Sequence, residues 1–135
     1  MSDLLKDLKN YILEELFPDF DEEDDDNFIF LDSLSDAPDT VIAISEYTGK
    51  DFSVIDERRI QILNRSLSYS SAKSLSNSIR SLFSPAGNPE KTHSIGESEN
   101  RLVIIKSIQS PFKLDVDTKE RVVFCCNYVV LTNRD

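Results

Sequence analysis

The stretch Arg58 to Phe83, RRIQILNRSLSYSSAKSLSNSIRSLF, changes its hydrophobic period partway along. Ile60 and Ile62 alternate with Arg59 and Gln61, the period of a half-buried strand. After Ser66-Leu67-Ser68 the spacing lengthens: Ala72, Leu75, Ile79, Leu82 and Phe83 recur every three or four residues, which predicts a helix. Ser68 is the expected N-cap, since its hydroxyl can accept from an orphan amide of the first turn. Pro85 and Gly87 supply the stop. At about 100° per residue the helix has three faces. One is apolar, one carries Lys73, Asn77 and Arg80, and the third is a stripe of Ser71, Ser74, Ser78 and Ser81. Small side chains let another backbone or subunit approach closely; they are also what an ordinary solvated face carries.

Upstream, Leu4, Leu5, Leu8, Ile12 and Leu16 hold helical spacing, so a first helix is expected over residues 3–16, ending before Pro18. Residues 18–27 form an acidic loop containing Asp19, Asp21, Glu22, Glu23, Asp24, Asp25 and Asp26. No register of that run sets Gly at position 6 and Glu at position 12 of a calcium loop, and like charges repel into solvent. Phe28–Leu31 and Thr40–Ser45 read as two strands joined by a turn at Asp36, Pro38 and Asp39. Residues 84–100 show no periodicity and are expected to be a long, mobile loop. Arg101–Gln109 and Arg121–Thr132 are the last two strands, expected to form a long antiparallel hairpin with a tip at residues 110–120. The final strand, apolar on both faces, belongs mid-sheet. The fold class is therefore α+β, in the order helix, three strands, helix, two-stranded hairpin, with the helices packed on an antiparallel or mixed sheet in one domain over residues 1–135.

The 135 residues can bury a real core, and their net charge of −10 is unevenly spread. Residues 1–40 carry 14 acidic and 2 basic side chains, net −12; residues 41–135 carry 11 and 13, net +2. Such a balance argues against specific binding of nucleic acid and against an anionic membrane surface. The N-terminus lacks the basic region of a signal peptide, and the longest apolar run is too short to span a bilayer, so a cytosolic protein is expected. Cys125 and Cys126 are adjacent on a strand and point to opposite faces, as core thiols would.

Catalytic constellations are thin. His93, the one histidine, falls in the expected loop, without a rigid orienting partner. Neither a zinc-ligand spacing nor a glycine-rich phosphate loop is present. Asp115 and Asp117 have the spacing of a metal-binding pair, and also of ordinary polar residues in a hairpin tip. The expectation is an assembly or binding protein with no catalytic, cofactor or metal residues.

Three segments together, Glu46-Tyr47-Thr48-Gly49, Arg65-Ser66-Leu67-Ser68-Tyr69-Ser70-Ser71-Ala72, and Asp117-Thr118-Lys119-Glu120-Arg121-Val122-Val123-Phe124 with Asn127, resemble the tail-terminator (tail-completion, minor capsid) proteins of long-tailed bacteriophages. Such proteins often carry Gly near position 50 and before the final Arg, where this chain has Lys50 and Glu120. The resemblance implies a non-enzymatic ring, commonly of six copies, in the neck of the virion and assembled in the host cytoplasm. It ends tail-tube polymerisation and joins the tail to the head-completion protein, while DNA passes through without specific binding. Itself, the tail-tube protein and the head-completion protein are the implied partners. Arg59, Arg65 and Arg121, with Asp117 and the serine stripe, are the expected interface or hairpin-anchoring residues. Two other readings stay open: a head-completion or stopper protein, and a monomeric acidic adaptor or inhibitor that binds a basic partner.

Overall fold

A computed structural model describes residues 4–19, 28–51, 55–96 and 101–133. Two helices, α1 (Leu4–Leu16) and α2 (Tyr69–Phe83), lie on one face of a seven-stranded mixed sheet. The strands are β1 (Ile29–Leu31), β2 (Val41–Asp51), β3 (Ile55–Ser66), β4 (Glu90–Ile95), β5 (Arg101–Ser107), β6 (Phe112–Val116) and β7 (Val122–Asn133). Their order is β1-β2-β3-β7-β5-β4, with β6 also paired to β7.

β7 is the centre, as its two-sided apolarity predicts. Its whole length pairs antiparallel with β3, from Ile55 opposite Asn133 to Ser66 opposite Val122. In that register Ile60 faces Tyr128 and Ile62 faces Cys126, and all four are buried beneath the helices. Leu4, Leu8 and Ile12 of α1 and Ile79 and Phe83 of α2 complete the core. Each such side chain contributes about 1.5–3 kcal/mol on leaving water.

The strand-to-helix switch forms where the period change places it. Ser68 has extended backbone and accepts the Ser71 amide on its hydroxyl at 3.2 Å. Four residues before that cap, the buried Asn64 sends its Nδ2 to the carbonyl of Ala72 at 2.8 Å, so the end of β3 grips the first turn of α2. Ser76 is buried among the apolar residues of α2, whereas Leu75 and Leu82 are half-buried.

Three expectations are corrected. First, β1 and β2 are parallel, with Ile29 opposite Ile42 and Leu31 opposite Ile44, so residues 32–40 are a crossover and not a hairpin turn. Second, residues 84–100 are not a structureless loop. β4 lies within them and pairs with β5, from Glu90 opposite Lys106 to Ile95 opposite Arg101. His93 and Ile95 face the helices, with Thr92 and Ser94 exposed. Third, the expected tip at 110–120 contains a further strand, β6. β5 and β6 pair in succession with the two halves of β7, and the register shifts between them and again between Lys113 and Asp115. The true turn is Asp117 to Arg121. Seven strands thus replace the expected five, with the α+β class unchanged. The acidic run from Asp21 to Asp26 lies outside the described residues.

Candidate functional site

The expected site residues Arg65, Asp117 and Arg121 come together at one end of the sheet, on the face turned away from the helices. Odd-numbered residues of β3 point there, since Ile60 and Ile62 point to the core. The crossover 32–40 passes over this end, and its carbonyls meet the two guanidinium groups. Arg65 donates from Nε to the Asp39 carbonyl at 3.1 Å and from Nη2 to the Pro38 and Asp36 carbonyls at 2.7 and 3.2 Å. The peptide bond before Pro38 is cis. Arg121 donates from Nη1 to the Asp36 carbonyl at 2.7 Å and to Asp39 Oδ1 at 3.2 Å, from Nη2 to Asp36 Oδ1 at 3.0 Å, and from Nε to Asp117 Oδ2 at 2.8 Å. Lys119 closes the group on Asp36 Oδ2 at 2.8 Å. Both arginine side chains are buried, and their planar forks suit such a set of carbonyl and carboxylate acceptors.

The electrostatics agree with the contacts. Asp36 is held below its ordinary pKa, chiefly by Lys119 and then by Arg121. For Asp117, burial alone would raise the pKa, but the amide and guanidinium of Arg121 and the amide of Lys119 together hold it down. Arg121 loses solvent, which by itself would lower its pKa, yet Asp117, Asp36 and Asp39 hold it above its usual value. Arg65 goes the other way, lowered first by burial and then by the neighbouring Arg121. The cluster is a clasp: two cations that fasten the crossover and the hairpin turn to the sheet.

The turn itself is capped by Asp117, whose Oδ1 accepts the amides of Lys119 and Arg121 at 3.0 and 2.9 Å. Glu120 sits at φ 62°, the left-handed conformation that favours glycine.

The other expected residues lie apart from the clasp. Arg59 pairs with Glu57 at 3.1 Å on the same far face, nearer the opposite end of β3. Ser71, Ser74, Ser78 and Ser81 are exposed along α2. The last three border a shallow groove of about 830 Å³ against Glu15 and Leu16 at the end of α1. Asp115 is exposed in β6, its Oδ1 accepting the Val116 amide.

His93 is the residue most misplaced by a sequence reading. Only 2% exposed, it joins three elements. Its Nε2–H donates to the Phe83 carbonyl at the end of α2 at 2.9 Å, which leaves Nδ1 to accept from the Tyr11 hydroxyl of α1 at 3.1 Å. Burial pushes its pKa down, more than the Phe83 carbonyl raises it, and Lys91 adds to the depression. The ring is neutral and structural. The signal was the short alternation Thr92-His93-Ser94-Ile95 between Pro89 and Gly96. Cys125 and Cys126 are buried free thiols, with burial lifting Cys125 to about 11.

What the sequence did not single out is the uncovered apolar surface. All five residues of β6 are exposed, among them Phe112, Leu114 and Val116. Beyond the crossover, the far face also exposes Leu102, Ile104 and Leu131, with Ile104 directly opposite Leu131. Among the described residues no group of three His, Cys, Asp or Glu side chains could hold a metal ion, and no helix is long and apolar enough to cross a membrane.

The described residues define a mixed α+β fold with both helices on one face of a seven-stranded mixed sheet. Searched against models of protein families and against curated proteins, the sequence matches none.

Proposed function

We propose that this chain is a non-enzymatic, self-assembling neck protein of the tail-terminator type, which closes into a ring of six at the head-proximal end of a phage tail tube. In that role it ends tube polymerisation and offers a surface to the head-completion protein. The observation that carries the proposal is β6, a short strand beside the clasped turn that pairs with β7 and leaves Phe112, Leu114 and Val116 exposed. Among the described residues β6 pairs with β7 alone, and an exposed strand edge beside apolar side chains is suited to pairing or docking. Further support comes from the two-signed chain, acidic over its first 40 residues and slightly basic after them, which suits head-to-tail contacts between identical subunits.

Mass photometry of the purified chain, alone and with the tail-tube protein encoded in its gene neighbourhood, tests this. A six-copy species, alone or on the tube end, is expected. A monomer under both conditions would reject it in favour of a monomeric acidic adaptor. In that case replacing the acids between Asp19 and Asp26 by Ser or Asn should abolish partner binding.

A further inference from the structure

We infer that the contact of His93 with Tyr11 and Phe83 is an acid-sensitive latch on β4: below about pH 6 this edge strand opens by itself, while β3, β7 and both helices stay folded. The opening bares the edge of β5 and is a local event, separate from unfolding of the domain.

β4 has little packing to lose. It is the last strand at its end of the sheet, and among the described residues it pairs with β5 alone. Of its six side chains only His93 and Ile95 are buried, and the exposed Glu90–Lys106 pair, at 3.1 Å, adds little in water. The helices differ in this respect: α1 buries Leu4, Leu8 and Ile12, and α2 buries Ala72, Ile79 and Phe83, so neither leaves without uncovering the core. A segment with few buried apolar contacts opens at a lower free energy than the whole domain. The hinge is set just ahead of Glu90, where Ser84 Oγ donates to the Pro89 carbonyl at 2.6 Å and the Asn88 amide closes a turn on the Pro85 carbonyl at 2.9 Å.

The latch fits a neutral ring. Nε2–H serves the Phe83 carbonyl, Nδ1 accepts from the Tyr11 hydroxyl, and the Tyr11 and Phe83 rings stand edge-on to the imidazole at 5.4 and 5.9 Å. A second proton places a donor where Tyr11 now donates, and a charge on a ring only 2% exposed. The surroundings do not offset that charge. On α1, Glu14 and Glu15 act on Tyr11, and Asp7 lies toward Gly96 at the end of the strand. On β4 itself Lys91 has the wrong sign. α2 presents the Phe83 carbonyl, β5 presents Val103 directly opposite, and β7 presents the neutral Tyr128 behind the Phe83 ring. Once β4 has opened, water solvates the imidazolium, so each pH unit below the ordinary histidine value favours the open strand by up to about tenfold. A factor of that size frees a strand of six residues and does not lift a helix from the core.

Hydrogen exchange of the full chain, followed residue by residue by NMR, tests this. With the intrinsic pH dependence of exchange divided out, the opening of β4 should rise about tenfold from pH 7.5 to 5.5 and stay insensitive to low urea, whereas the amides of β3 and β7 should respond to urea as global unfolding does. The ring nitrogens should still report a neutral imidazole protonated at Nε2 in the folded chain at pH 6. His93→Phe should abolish the pH-dependent rise. Tyr11→Phe keeps its ring beside Phe83, 5.9 Å away, but lacks the hydroxyl, and should open β4 severalfold at pH 7.5 without changing β1 or β2. Equal exchange of β4 and β7, with the same urea dependence at every pH, would overturn the inference. So would a ring that takes up its proton near pH 6.5 while β4 stays protected, or a rise that persists in His93→Phe. Should His93→Phe fail to fold, the titration of the ring and the Tyr11→Phe variant decide the matter.

Discussion

Glu120 shows how much strain a single well-capped turn tolerates. At φ 62° a residue with a Cβ is disfavoured by about 1 kcal/mol relative to glycine. It stays there because Asp117 holds the two amides on either side of it and the Arg121 guanidinium besides. Glu120→Gly should therefore stabilise the fold by about 1 kcal/mol, raising the melting temperature by roughly 4 °C in a thermal scan. A lower melting temperature would mean that the glutamate makes a contact worth more than the strain. Arg121 is the opposite case, a side chain with acceptors on every arm of its fork. Arg121→Gln removes the positive charge and most of those donors, leaving three carboxylates and the carbonyls of the crossover facing one another. The variant is expected to melt earlier and to exchange the amide hydrogens of residues 32–40 and 117–121 faster, with the amides of β3 much less affected. Unchanged exchange in the crossover would show that Arg65 alone suffices to hold it.

β4 is an edge strand held to the helices chiefly through one imidazole and Ile95. The pH behaviour of that element follows from linkage. Above about pH 6.5 the ring is neutral in both the folded and the unfolded chain, and it adds no slope. Below that value the unfolded chain takes up a proton that the buried ring resists, so stability falls as the pH drops toward the depressed folded value. Urea unfolding should give a flat plateau from pH 7 to 8 and a decline toward pH 5.5, and His93→Phe should flatten that decline. Asp36 and Asp117, whose pKa values are also lowered, act in a more acidic window: their contribution is whole above about pH 4 and is lost as the pH falls through their folded values. α1 and α2 were legible from period alone, since all but one of the buried positions in each are apolar, and the middle of β3 was legible from Ile60 and Ile62, although its end buries Asn64, Arg65 and Ser66. β4 was not, because one of its two inward positions is a histidine, polar by type and buried only through partners 10 and 82 residues away. The parallel pairing of β1 and β2 was hidden for a different reason: direction is set by where the crossover is fastened, and Arg65 and Arg121 lie far along the chain. β6 was written plainly as Phe112, Leu114 and Val116 against Lys113 and Asp115, but the turn residues on both sides masked it. Of the candidate site, the sequence singled out Arg65, Asp117 and Arg121 but not the crossover carbonyls that the two arginines meet, while the exposed Leu102 and Ile104 of β5 looked like part of one more core strand.

At the scale of the whole molecule, a single-layer sheet with helices on one face leaves the other face to be covered by something else. Here the crossover covers one end of it, and Leu102, Ile104 and Leu131 are exposed toward the other. Nearly everything the fold depends on also converges on its last strand: β7 lies against β3, β5 and β6 and completes the floor on which both helices rest. The crossover is no exception, since the Arg121 it grips lies 85 residues beyond Asp36. During synthesis on the ribosome, then, α1, β1 and β2 emerge able to meet one another but without the strand that completes their floor. The crossover finds Arg65 first and gains its second cation only once translation has delivered Arg121, so this end of the sheet is fastened in two instalments.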